Sequence, residues 1–130
     1  VHGTLSHLLL GDLLGLGRIQ DRAPEFTGLA TEICDDLHTL QARRVATDQM
    51  IADCVRSLAE TDLDWPVRYV SLMTGRQMSL LLWTALTHLF NHQTHHRGQL
   101  TALLSRLGVD YGDIDLIWMP GVACGGEAGT

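Results

Sequence analysis

The chain has 130 residues, 45% of them hydrophobic and 5% aromatic, with a formal net charge of −6. That length fits one domain, with a core built from Leu, Ile, Val, Met and Ala and no need of staples. The acidic balance argues against nucleic acid or an anionic membrane as a partner.

The first segment, Thr4 to Arg22, carries Leu5, Leu8, Leu9, Leu13, Leu16 and Ile19 at helical spacing. Thr4 or Ser6 is placed to cap it, and Pro24 marks a break after it. Gly11, Gly15 and Gly17 weaken a helix by up to ~1 kcal/mol each relative to Ala, or else let another element come close. The run Leu8-Leu9-Leu10 is too short for a membrane span or a signal peptide. Because the chain begins with Val, a leading segment is expected to have been removed or to precede it.

The second segment, Gly28 to Glu60, reads as one long helix. Leu29, Ile33, Leu37, Leu40, Val45, Met50, Ile51, Val55 and Leu58 form its apolar stripe. The opposite face carries Glu32, Asp36, Arg43, Arg44, Asp48 and Arg56, expected to be solvated. Thr61 to Pro66 reads as a linker. Val67 to Leu72 alternates, Thr74-Gly75-Arg76 reads as a turn, and Gln77 to Leu80 returns, which predicts a short β-hairpin leaning on the helices. A third helix is predicted from Ser79 to Leu107, with Gly108 as its C-terminal cap. Residues 1–120 make one domain, and 121–130 a Gly/Ala-rich, flexible tail. The expected fold class is therefore all-α, an antiparallel bundle with a short hairpin before the last long helix.

Cys34, Cys54 and Cys124 are odd in number and lack CxxC spacing, so no disulfide framework is expected. Cys34 and Cys54 fall in helical patterns as small core residues, and a reducing cytoplasm is the simplest setting.

The third helix holds His88, His92, His95 and His96. His92 and His96 are one turn apart on one face, a spacing that lets two imidazoles reach one metal ion. His88 extends that stripe, while His95 is rotated away from it. Gln93 stands where the helical metalloprotease pattern has its general-base Glu, which excludes that peptidase chemistry. Two histidines at this spacing are also common as ordinary polar residues on a helix surface. A third ligand stays open among His2, His7 and His38. His7, beside the apolar Leu8-Leu9-Leu10, ranks first, and a half-exposed helix residue explains it equally well. Arg97 follows His96 and reads first as a surface arginine, second as a site for an anionic substrate.

Ser6-His7-Leu8-Leu9-Leu10-Gly11-Asp12 resembles the N-terminal "nHLLxxD" pattern of the DinB-like (DinB/YfiT) superfamily. The run from His88 to Gln99 looks like that family's most characteristic stretch. Leu107 to Asp110 and Asp115 to Pro120 resemble its C-terminal end, so the likeness covers essentially the whole chain. The resemblance implies a four-helix bundle of DinB/YfiT type and a divalent metal, with Zn or Ni first, held by His7, His92 and His96. It also implies frequent homodimers, and relatives that include thiol-dependent transferases and isomerases. Two departures stand out. The helix that usually precedes the "nHLL" helix is missing, and Gly15 and Leu16 occupy the region of the usual aromatic after Asp12. The expected function is a metal-dependent enzyme of the thiol-dependent transferase or hydrolase type, with a small molecule or thiol as cosubstrate. The alternatives are a non-catalytic metal-binding or stress-related interaction protein, and a plain helical bundle without metal.

Overall fold

The computed structural model describes residues 1–24, 26–28, 31, 33–119 and 122. The elements are α1 (His2–Ile19), α2 (Leu37–Ser57), β1 (Pro66–Val70), β2 (Gln77–Leu81) and α3 (Leu82–Arg106), with short 3₁₀ turns at Glu60–Asp64 and Leu116–Trp118. The fold is mostly helical with one two-stranded antiparallel hairpin. Among the described residues no helix is long and apolar enough to cross a membrane. The tail expected over 121–130 lies, Val122 apart, outside the described residues, as does Cys124.

Helix α1 is the central element. Leu8, Leu9, Leu10, Leu14 and Leu16 are all buried, which takes in most of its circumference. A helix apolar on nearly every side must be enclosed by neighbours, and α1 packs against α2, α3 and β1. Each such leucine contributes about 1.5–3 kcal/mol on burial. One core cluster joins Leu9 to Cys34 and Leu40; another joins Leu16 to Ile51, Cys54 and Leu89.

These pairings fix helix directions. Leu9 meets Leu40, Asp12 meets Arg44, and Leu16 meets Ile51, so α1 and α2 run the same way. His7 lies by His96, and Gly15 by Leu89, so α3 runs opposite to α1. The expected antiparallel arrangement therefore holds for α1 and α3, and is corrected for α1 and α2.

The cause lies ahead of α2, which begins at Leu37 and not at Gly28 as the periodicity suggested. Helix α1 ends with Asp21 at φ 52°, while the Asp21 N–H donates to the Arg18 carbonyl and the Arg22 N–H to the Gly17 carbonyl. This is a Schellman-type stop, one turn before Pro24. Ile33 lies back beside the start of α1, where its N–H donates to the buried Ser6 hydroxyl at 3.2 Å. Ile33 and Cys34 pack against Leu9 from this non-helical stretch. Helix α2 starts only at Asp36, whose carboxylate accepts from the Thr39 N–H at 2.8 Å. That hydrogen bond holds the exposed Asp36 carboxyl below its usual pKa. Leu40, Ile51 and Cys54 face the core, whereas Val45 and Val55, assigned to the apolar stripe, are exposed.

The hairpin pairs Pro66 with Leu81 through Val70 with Gln77, and Gly75 at φ +66° makes its turn. Val67 is buried against α1 and Tyr69 is half-buried, as the alternation predicts. Strand β2 runs directly into α3, and the Leu82 N–H donates to the Trp65 carbonyl at 2.8 Å. Gly108 at φ +68° closes α3, as expected: its N–H reaches the Ser105 carbonyl and the Val109 N–H reaches Leu104.

Two glycines of α1 set its distance from α3. A Cβ at Gly15 would lie 2.8 Å from Leu89 Cδ1, and one at Gly11 would lie 2.7 Å from His92 Cε1. Leu89 is itself buried, so it has little room to give. Gly15→Leu is expected to lose about 1–3 kcal/mol of stability through overpacking, despite its better helix propensity. Urea unfolding of the variant beside the parent measures it.

Candidate metal centre

Helix α3 presents Leu89, His92, Gln93 and His96 toward α1, a three-and-four spacing along one face. Gly11 leaves the space that the His92 ring fills. One turn earlier on α1, His7 meets both rings of the α3 pair. Its ring centroid is 4.5 Å from that of His96 and 5.3 Å from that of His92. The His92 and His96 rings are 4.4 Å apart. Each of the three offers a nitrogen, and these nitrogens lie within 4.8 Å of one another. All three side chains are half-buried.

The other histidines fall outside this group. His88 lies one turn before His92, with centroids 5.8 Å apart, and is exposed. His95 is exposed, though its ring touches that of His96 edge-on at 4.9 Å. His38 sits exposed in the first turn of α2, and His2 opens α1. Arg97 is exposed, and its guanidinium makes long contacts of 3.4 Å with Gln93 and Thr94 on its own helix, as befits a surface arginine.

The donor set suits a divalent cation. The His96 Nδ1–H donates to Gln99 Oε1 at 2.8 Å, and the Gln99 amide donates to His95 Nε2 at 3.1 Å. An amide oxygen only accepts, so the proton sits on His96 Nδ1 and the Nε2 lone pair is left for a ligand. Burial lowers the His92 pKa to about 4, helped by the neighbouring His96, His7, His88 and His95. At neutral pH that ring is an uncharged imidazole, the form that binds metals.

The described carboxylates of helix α2 are engaged away from the rings. Asp48 pairs with Arg44, Asp53 with Arg56, and Asp36 caps the helix. The orienting group found at the rings is Gln99, from α3 itself.

Behind the cluster is a feature that the sequence patterns misassigned. Asp12 of α1 is fully buried and accepts at one carboxylate oxygen from the Arg44 guanidinium of α2. Arg44, placed on the solvated face by periodicity, is 26% exposed and bridges Asp12 to Asp48. Burial raises the Asp12 pKa above the usual carboxylate range, opposed by Gln93 and Arg44. The signal available in the sequence is an acid set among leucines: Asp12 falls within the apolar face of α1.

A cavity of about 390 Å³ opens beside the rings. His7, Gly11, His88 and His92 stand at one end, and Arg18 and Tyr69 lie farther along α1 and β1. The hairpin supplies its roof through Val67, Leu72 and Leu80.

These features define a class: a helical protein whose histidine cluster could hold a metal ion at the edge of an apolar cavity. The sequence pattern of the DinB family matches residues 1–127, and the chain belongs to that family. No curated protein matches the chain, and no solved structure does.

The depressed His92 pKa has a sign that can be checked. Between about 6.5 and about 4 the unfolded chain binds a proton that the folded, metal-free protein does not. Stability should therefore rise with pH through that window and be lost as pH falls through it. His92→Gln is expected to flatten this slope in urea unfolding. NMR titration of the parent should show one ring protonating near pH 4.

Proposed function

We propose that the protein binds one divalent metal ion through His7, His92 and His96 and uses it in catalysis as a thiol-dependent transferase or hydrolase. The observation that carries the reading is the convergence of three imidazole nitrogens from two helices within 4.8 Å. Three neutral imidazoles suit Zn or Ni. They leave the ion its full charge and a position open beside the cavity. An ion so held makes a bound water or thiol far more acidic and so supplies a nucleophile near neutral pH.

The chain's own residues have defined parts in this reading. Gln99 keeps the His96 proton on Nδ1. Gly11 gives the His92 ring its place. The apolar walls of the cavity limit water around the reacting group. No carboxylate of the described residues joins the histidine group, which favours a metal-activated nucleophile over a carboxylate general base. The second reading, a non-catalytic metal-binding protein, is separated by whether the fourth position exchanges water.

Metal analysis of tag-free protein tests the site. His92→Ala should lose most of the metal, and His2→Ala and His38→Ala should retain it. Affinity should fall as pH drops through the imidazole range, because protons compete for the ligands. Stoichiometric metal in the triple variant of His7, His92 and His96 to alanine would overturn the assignment.

We also propose a bundle of DinB/YfiT type completed by a homodimer, working in the cytoplasm. Exposed apolar residues support it, among them Trp83, Phe90 and Leu103 on α3 and Leu116, Ile117 and Trp118 beyond it. Such surface tends to be covered by a partner. Light scattering at micromolar concentration should report twice the chain mass; a monodisperse monomer would refute the dimer.

A further inference from the structure

The cavity beside the histidines has two chemically different ends. His7 and Arg18 are eleven positions apart on α1. That is about 16 Å of axis and close to three full turns, so both leave the helix from one face. Both line the cavity, and the wall between them is apolar, with Leu10 and Leu14 on α1, Leu89 on α3 and Leu80 on the hairpin.

Arg18 is held with its guanidinium carbon 4.2 Å from the centroid of the Tyr69 ring. Stacking occupies one face of the guanidinium and leaves its N–H donors pointing outward in the plane, the geometry that pairs with a carboxylate or phosphate. Among the described residues no carboxylate forms an ion pair with it. Arg18 and Tyr69, with Leu14 and Leu72, also line a second cavity of about 490 Å³. Arg22 and Arg68 line that cavity too, and among its described lining residues Asp21 is the acid. Three of the chain's nine basic residues thus gather here, in a protein of net charge −6. The local excess of positive charge runs against the global balance, which marks a place suited to an anion.

We infer that the cavity takes an elongated amphipathic acid, with an electron-pair-donating head at the histidine cluster, an apolar body between α1, α3 and the hairpin, and an anionic tail on Arg18. This deepens the proposed metal-dependent reading and rests on it for the head alone. The tail and body depend only on Arg18 and the apolar wall. A short hydroxy or mercapto acid cannot span the two ends, and a neutral chain leaves the guanidinium unanswered.

Calorimetric titration separates these parts. With zinc-loaded protein, ω-mercaptooctanoate should bind about ten-fold or more tightly than ω-mercaptooctanol, since a charged hydrogen bond is at stake. Arg18→Gln should remove that advantage and leave the alcohol's affinity within about two-fold. Arg18→Lys keeps the charge without the planar fork and should fall between; it also serves if Arg18→Gln does not fold, which thermal melting by circular dichroism reports. Octanoate and octyl phosphate are titrated into metal-free protein as well. A preference for either anion that Arg18→Gln abolishes supports the anchor and names its chemistry. If the parent takes up no zinc but octanoate binding still needs Arg18, the metal reading fails and the anchor stands. Equal binding of acid and alcohol, or equal weakening of both by Arg18→Gln, would overturn the inference.

Discussion

The contact between α1 and α3 is made possible by two missing side chains. At Gly11 and Gly15 nothing but hydrogen separates the α1 backbone from His92 and Leu89. Any Cβ at these places would stand inside the van der Waals envelope of the facing residue. Glycine lowers helix propensity, and here the loss is offset by packing that a side chain would forbid. The hairpin rests on the same pair of helices, so the cavity also takes its width from this contact. One turn along α1 from Gly11, the His7 ring comes within reach of both α3 rings.

A second constraint ties α2 to α1. Asp12 is a fully buried carboxylate bound by Arg44 of α2. Burying a charge is costly, and a buried pair seldom adds much net stability over a well-packed apolar one. Its value lies in the cost of separating it: a slip of α2 along α1 would leave a charge in the core without a partner. The parallel course of α2 is otherwise held by small apolar contacts, at Leu9 with Leu40 and Leu16 with Ile51.

How much of this could be read beforehand follows from the range of each interaction. The His92 and His96 pair is local, and helix geometry alone placed it on one face. The hairpin, with its turn at Gly75, and the cap at Gly108 are local too, and their sequence signals were sufficient. His7 is a different case: spacing left three candidates open, and the family resemblance singled it out. The start of α2 was misread because apolar spacing at Ile33 and Leu37 mimics a helix. There Ile33 and Cys34 pack in non-helical backbone, and the better local signal was the capping chemistry of Asp36 with Thr39. Arg44 looked solvated because its partner sits on another helix, beyond the reach of any periodicity. The role of Arg18 was hidden for the same reason, since Tyr69 meets it only after the hairpin folds back.

His7 and His92 belong at once to the ring cluster and to the wall of the cavity. Whatever occupies the cavity therefore touches the same imidazoles that would hold an ion. Occupancy of the two places is thermodynamically linked, and such a linkage is reciprocal: if a guest in the cavity changes ion affinity by some factor, the ion changes the guest's affinity by that same factor. Because β2 passes into α3 without a loop, the roof above the guest and the helix bearing His92 are one continuous piece of backbone. A guest that lifts the roof must also pull on the start of the helix that carries the rings. A guest in the cavity and an ion on the rings would therefore not bind as independent events, and the free energy of one would carry a contribution from the other.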